Sequence, residues 1–214
     1  MAGIPVAPAP TVSGSTWALR HSVSLGSCGN SVPELGGNER VPCNTVLVRG
    51  PAFVTERLSL RPLGLIDAGP VALMNSDVEV MRFVGGPLTA EASDASVLRS
   101  VDQWNAQGYG RFAVLGRATG EFVGWVSLNH GHTLYSDDVE IGWRMRRAFW
   151  GQGLASEAAA RVLEFSLNEA LVPRVVALAD MDNGASVAVM RRIGMRHLVD
   201  TRMDEQVITV YETP

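Results

Sequence analysis

The chain contains no lysine; all 18 of its basic residues are arginine. That absence excludes a nucleotide P-loop, whose lysine must reach the β- and γ-phosphates. Cysteine is scarce: Cys28 and Cys43 are the whole complement, both near the N-terminus. Two thiols make no disulfide framework, and they point to a reducing, cytoplasmic setting. No apolar run approaches the roughly 20 residues of a membrane-spanning helix. The first basic residue is Arg20, so the basic-then-apolar plan of a secretory signal is missing. Neither a membrane partner nor export is expected. With 22 acidic residues against 18 arginines the net charge is −4, which advertises no surface for a polyanion. Trp104, Tyr109, Trp125 and Trp143 come without a basic patch. They read as core or pocket wall, and nucleic acid is not an expected partner.

What is present suits one globular domain with a tail. The chain has 214 residues, 46% of them apolar and 19% charged. Residues 1–52 are rich in Gly, Pro, Ser, Val and Ala and lack periodicity. They read as a disordered tail or a wrongly assigned start, with the folded domain spanning 53–214. Beyond Thr55 the pattern becomes regular. Leu58 to Arg61 alternates as a strand. Ile66–Met74 and Asp77–Phe83 read as short helices, and Gly85-Gly86-Pro87 as a break. Thr89–Gln107 has helical spacing, with Val97, Leu98, Val101 and Trp104 on one side. Arg111–Arg117 and Glu121–Leu128 are strands around an Ala118-Thr119-Gly120 turn, and Val139–Met145 is a third.

Gly153–Ala170 is the clearest helix. Ala155, Ala158, Val162 and Phe165 form its apolar stripe, with Glu157 and Arg161 spaced for an i,i+4 pair. Arg174–Ala179 is a buried-type strand. Ser186–Arg192 is a helix ended by Gly194, and Met195–Leu198 and Gln206–Tyr211 close the chain as strands. A strand, helices, three strands, then α, β, α, β, β is α+β logic with a mixed sheet.

Between the third strand and the clearest helix lies Trp150-Gly151-Gln152-Gly153-Leu154-Ala155-Ser156. Glycines at a loop-to-helix junction let the backbone approach a ligand, and the helix's first N–H groups suit an anion, most naturally a phosphate. The dinucleotide fingerprint G-x-G-x-x-G fails, because Ser156 stands where the third glycine belongs. His130-Gly131-His132 is poor evidence for a metal, having no cysteine and no matching carboxylates. No metal site is expected.

The stretch does resemble the phosphate loop of the GNAT acetyltransferases, Gln/Arg-x-x-Gly-x-Gly/Ala, with Trp150 at its first position. Glu140-Ile141-Gly142-Trp143 upstream and Asp182-Asn183-Gly184-Ala185-Ser186, followed by Met190 and Gly194-Met195, are similar to the branch of ribosomal-protein N-acetyltransferases. The resemblance spans about residues 55–214. It implies an α+β GNAT fold: a central mixed, mostly antiparallel sheet flanked by helices. It further implies acetyl transfer from acetyl-CoA, as co-substrate, to a primary amine that attacks the thioester directly.

Three tasks follow: holding the pyrophosphate, taking a proton from the amine, and stabilising the leaving thiolate. By this resemblance Gly151, Gln152, Gly153, Leu154, Ala155 and Ser156 hold the pyrophosphate. Met145, Arg146 and Arg147 meet the pantetheine arm or the phosphates, and Asn183 hydrogen-bonds the cofactor. Ser186 is placed to protonate the departing sulfur, and Glu140 to act as general base, ahead of Asp137 and Asp138. A carboxylate with an ordinary pKa near ~4 is a weak base for an ammonium near ~10, so Glu140 needs partial burial or a water relay. Capping is the plainer role for Asn183 and Ser186. The acceptor is a small-molecule or peptide amine, and exposed strand edges permit a homodimer. A non-catalytic acyl-CoA sensor, or transfer of another acyl group such as succinyl, are the alternatives; basic residues in the cleft would favour the latter.

Overall fold

Alternating burial along Leu58–Pro62, with Leu58 and Leu60 inward and Ser59 and Arg61 partly exposed, sets the first long strand. The computed structural model describes residues 48–130, 138–170, 172–203 and 205–214. In chain order the elements are β1 (Phe53–Val54), β2 (Leu58–Pro62), α1 (Ala68–Asn75), α2 (Val78–Met81), α3 (Ala90–Gln107), β3 (Arg111–Gly116), β4 (Phe122–His130), β5 (Val139–Met145), α4 (Leu154–Asn168), β6 (Val175–Asp180), α5 (Gly184–Arg192), β7 (Arg196–Met203) and β8 (Gln206–Glu212). They form a mixed sheet of eight strands ordered β1-β2-β3-β4-β5-β6-β8-β7, with helices packed against it. Side chains start the helices where the sequence offers acceptors. Asp77 takes the N–H groups of Glu79 and Val80, and Thr89 takes that of Ala92. Among the described residues no helix is long and apolar enough to cross a membrane.

Two cores lie on opposite faces of the sheet, because neighbouring strand residues point opposite ways. On one face Phe112, Val114, Val126 and Leu128 pack with Ala158, Val162 and Phe165 of α4. On the other, Ala113 and Trp125 pack with Val71 and Met74 of α1 and Val97 of α3. Phe53 joins the first core, its ring 5.3 Å from Phe112 and 5.2 Å from Phe165. Val48, ahead of the expected start of the domain, also packs partly buried against it.

Several elements differ from the expected ones. β1 is only two residues long, too short to leave a period. Leu98 is 51% exposed while Val97 and Trp104 are buried, so the apolar side of α3 is narrower than its spacing suggested. β7 runs eight residues, twice the expected span, because it pairs with β8 along its length while staying exposed on both faces. Glu157 pairs with Arg57 rather than Arg161. Arg161 reaches Glu164 and Glu169 and lies 3.9 Å from the centroid of the Phe53 ring.

One irregularity positions the site. β5 and β6 are the sheet's parallel pair, and they pair only at Val139–Val175 and Glu140–Val176. Arg174 pins that end, donating to both carboxylate oxygens of Asp138 at 3.1 and 2.6 Å. Beyond it β5 continues to Met145 against β4, and β6 continues to Asp180 against β8. The two strands part, and a cleft opens between them.

Candidate active site

The cleft has a volume of about 810 Å³ and is walled by the diverging β5 and β6, the start of α4 and the inner side of α5. At its floor the chain turns from β5 into α4. Gly151 and Gly153 have φ of +72° and +76°, a region that L side chains avoid. This geometry brings six successive main-chain N–H groups, Gly151 to Ser156, to the helix start without a hydrogen bond to any described residue. The Ser156 hydroxyl is buried and likewise unpartnered. A buried hydroxyl without a partner is costly, and a helix N-terminus carries positive potential. Together they make a cradle that an anion would complete.

Arg57 fastens this loop from the far side. Its Nη1 donates to the Gln152 carbonyl at 2.8 Å, and its Nε donates to Glu157 Oε2 at 2.7 Å. The Arg57 main-chain N–H and the Thr55 hydroxyl donate to the other oxygen of Glu157. Desolvation raises the Glu157 pKa, but the bonds from Thr55 and Arg57 outweigh it and hold the carboxyl below its usual range. The start of β2 thus braces the turn into α4.

Glu140 stands where β5 and β6 begin to part, opposite Asn129 of β4. It lines the cleft, half-buried, and makes no hydrogen bond or ion pair to a described residue. Burial pushes its carboxyl pKa up. Ser127 and Asn129 line the cleft beside it, Asn129 Nδ2 donating to Ser127 Oγ at 3.1 Å. Asp138, by contrast, is committed to Arg174. Asp137 and His132 lie outside the described residues.

Across the cleft Asn183 caps α5, its Oδ1 accepting from the Ser186 N–H at 3.1 Å. That bond uses the oxygen; the amide nitrogen and the Ser186 hydroxyl have no partner among the described residues, and both residues line the cleft. Capping and ligand contact are therefore compatible in Asn183. The structure brings Glu140, Met145, Gly151, Gly153, Leu154, Ala155, Ser156, Asn183 and Ser186 to one cavity.

Arg146, Arg147 and Gln152 are not among its walls. Arg146 pairs with Glu121 at 2.9 Å, and its main-chain N–H donates to the Val123 carbonyl. Arg147 is exposed. Gln152 Nε2 donates to the Ala148 carbonyl at 3.0 Å. The Met145 carbonyl accepts from the indole N–H of Trp150 at 2.8 Å, a structural use of Trp150 that still leaves it 46% exposed at the cleft mouth. Tyr211 is buried away from the cleft, its hydroxyl accepting from Arg191. Among the described residues no group of three or more His, Cys, Asp or Glu could hold a metal ion. The sequence reading missed Arg57 and Arg144. Arg57 carries no motif, whereas Arg144 shares a strand face with Glu140 by simple alternation.

Comparison with known proteins bears on this cleft. The family model described as Acetyltransferase (GNAT) domain matches residues 57–196. The uncharacterized protein YkkB of Bacillus subtilis (strain 168) is 32% identical over 166 residues, 75% of this chain and 94% of its own. The FsC-acetyl coenzyme A-N(2)-transacetylase of Aspergillus fumigatus is 32% identical over 173 residues, 77% of this chain and 70% of its own. Among solved structures, an acetyltransferase from Agrobacterium tumefaciens superposes with a TM-score of 0.69 at 27% identity, covering 83% of this chain and 99% of that one.

Proposed function

The chain belongs to the GNAT acetyltransferase family and is an acetyltransferase; from that premise we propose that it moves the acetyl group of acetyl-CoA to a primary amine. The observation that carries this reading is the cleft between β5 and β6, with unpartnered N–H donors at one end and an unpaired, half-buried carboxylate at the other. The donors of Gly151 to Ser156 and the orphaned Ser156 hydroxyl fit a pyrophosphate, which supplies the anion they lack. Asn183 lines the same cavity, and a side-chain amide N–H there suits a hydrogen bond to the pantetheine arm. The name of the Aspergillus relative, an acetyl coenzyme A transacetylase acting at a nitrogen, supports both donor and acceptor class.

The chemistry follows from these positions. Glu140 takes a proton from the ammonium, directly or through water held near Ser127 and Asn129, leaving a free amine. The amine attacks the thioester carbonyl and the C–N bond forms; as the C–S bond breaks the thiolate takes a proton from Ser186, and the proton that the nitrogen must still lose to become an amide passes through solvent to the Ser186 oxygen. Burial of Glu140 narrows the gap between its pKa and that of the amine, which makes the carboxylate a better base.

A broad amine screen that detects free CoA thiol tests the reading. Release that depends on an amine, with an N-acetyl product by mass spectrometry, is the expected result. Tight binding of acetyl-CoA with no acetylation of any amine would instead make the protein an acyl-CoA sensor.

A further inference from the structure

Arg144 is a cleft residue whose charge no described carboxylate balances. Its Nη1 donates to the neutral Oδ1 of Asn75 at 2.6 Å, and Asn75 is itself buried and donates to Ser93 Oγ at 3.2 Å. Arg111 of β3 is in the same position: its Nη1 meets only the carbonyl and hydroxyl of Ser96, both at 3.3 Å. Both guanidinium groups lie against one ring, 4.8 Å and 5.0 Å from the Trp125 centroid. Trp125 is 7% exposed, lines the cleft, and its indole N–H has no partner among the described residues. Burial pushes Arg144 down to about 10, with the charge of Arg111 adding to the effect. Arg111 falls to about 10 as well, from burial and then the charge of Arg99.

Two desolvated cations beside an orphaned N–H donor form a costly arrangement when empty. An anion entering the cleft would pair the charge and satisfy the donor. A guanidinium fork matches a carboxylate in shape as well as charge. The site lies well placed for an acceptor. Glu140, Gly142 and Arg144 share one face of β5 by strand alternation, and four residues span roughly 13 Å between Cα atoms. A basic cleft residue would suit a charged acyl group such as succinyl; an acetyl group carries no charge, and with acetyl transfer as the premise the complementarity falls to the acceptor.

We propose that Arg144, backed by the charge of Arg111 and the Trp125 indole N–H, binds a carboxylate on the acyl acceptor. The preferred substrate is then an amino acid, ω-amino acid or short peptide with its carboxylate several bonds from the amine. This rests on the acetyl-transfer reading and narrows its acceptor class.

The test uses the full-length protein, acetyl-CoA, and a panel of amino acids, ω-amino acids and dipeptides, each beside its own carboxamide. A charge-assisted contact predicts a preference for the acid over its amide of about 10- to 100-fold in kcat/KM. Arg144→Gln should reduce that preference to less than about threefold, with the larger loss in kcat/KM falling on the acids. Arg144→Lys keeps the charge without the fork and should retain part of the preference. Acids and amides turned over equally well would overturn the site and leave the transferase standing. So would an acid preference that survives Arg144→Gln. A wild-type preference for succinyl-CoA over acetyl-CoA would assign the charge to the donor and overturn the proposal too. No turnover anywhere in the panel also overturns it; the transferase reading is then judged separately by the broad amine screen.

Discussion

Replacing Glu140 by Gln keeps the shape and polarity of the side chain and removes its basicity. Turnover should fall by roughly 10²–10⁴, the usual worth of a positioned general base, while the KM for acetyl-CoA barely moves. The structure adds a second readout that a merely structural Glu would not give. Burial raises the Glu140 carboxyl, and no described cation pairs with it. At a pH below the ordinary carboxylate range, folded and unfolded chains are both protonated here, and the residue costs no electrostatic stability. As pH climbs from the ordinary value to the raised one, the unfolded chain ionises first and stability drops. Above the raised value the penalty is full and constant. Each tenfold change in the acid constant corresponds to about 1.4 kcal/mol.

Glu140→Gln lacks that penalty. Its melting temperature should match the wild type near pH 3, below the ordinary carboxylate range, and exceed it at pH 8. Denaturation series at both pH values, run beside steady-state assays from pH 6 to 10, would show this pattern. The kinetic deficit should shrink toward high pH, where more of the acceptor is already free amine. A variant with near wild-type turnover would remove Glu140 as the base. A variant less stable than wild type at pH 8, and equally impaired at every pH, would mean that the carboxylate serves the fold.

Four further substitutions, at three positions, probe the cofactor side of the cleft. Gly153→Ala puts a Cβ at φ of +76° with only Arg57 Nη2 near it, at 3.6 Å. It should lose roughly 1–2 kcal/mol of stability from backbone strain, and calorimetry should show a larger proportional loss for CoA than for folding. Asn183→Ala removes both the cap and the amide donor, costing about 1 kcal/mol in stability and roughly tenfold or more in acetyl-CoA affinity. Asn183→Ser restores the cap alone, so recovered stability with affinity still low would separate the two roles. Glu157→Gln frees the Arg57 brace. Because the Glu157 carboxyl is held below its usual range, its contribution is present above that range and lost as pH falls; the gap between wild type and variant should close on acidification.

Much of the scaffold was legible because local chemistry and tertiary role agree. Thr89 and Asn183 cap their helices and the Gly151–Gly153 turn takes positive φ as their residue types suggest, and Val139–Met145 carries an unambiguous alternation. β7 was half-seen because an exposed strand at the edge of a sheet has no apolar period; its pairing with β8 defines it. Leu98 was misassigned because a helical stripe in sequence does not tell which edge of the stripe the sheet covers.

The site divides along the same line. Residues in a contiguous motif could be named in advance, since the loop from Gly151 to Ser156 builds its own geometry. Arg57 could not, being about a hundred positions from the Glu157 it holds. Nor could the pairing of Arg144 with Arg111 across Trp125, which needs three strands in register: Arg111 opposite Ser127, and Trp125 opposite Arg144. That division follows from what each part must do. On the proposed reading, recognition of a pyrophosphate uses main-chain donors, which a short run of small residues suffices to expose. The proposed acceptor site uses side chains gathered from separate strands: alternation within β5 can place Glu140 and Arg144 on one face, but only the assembled sheet brings Arg111 and Trp125 to Arg144.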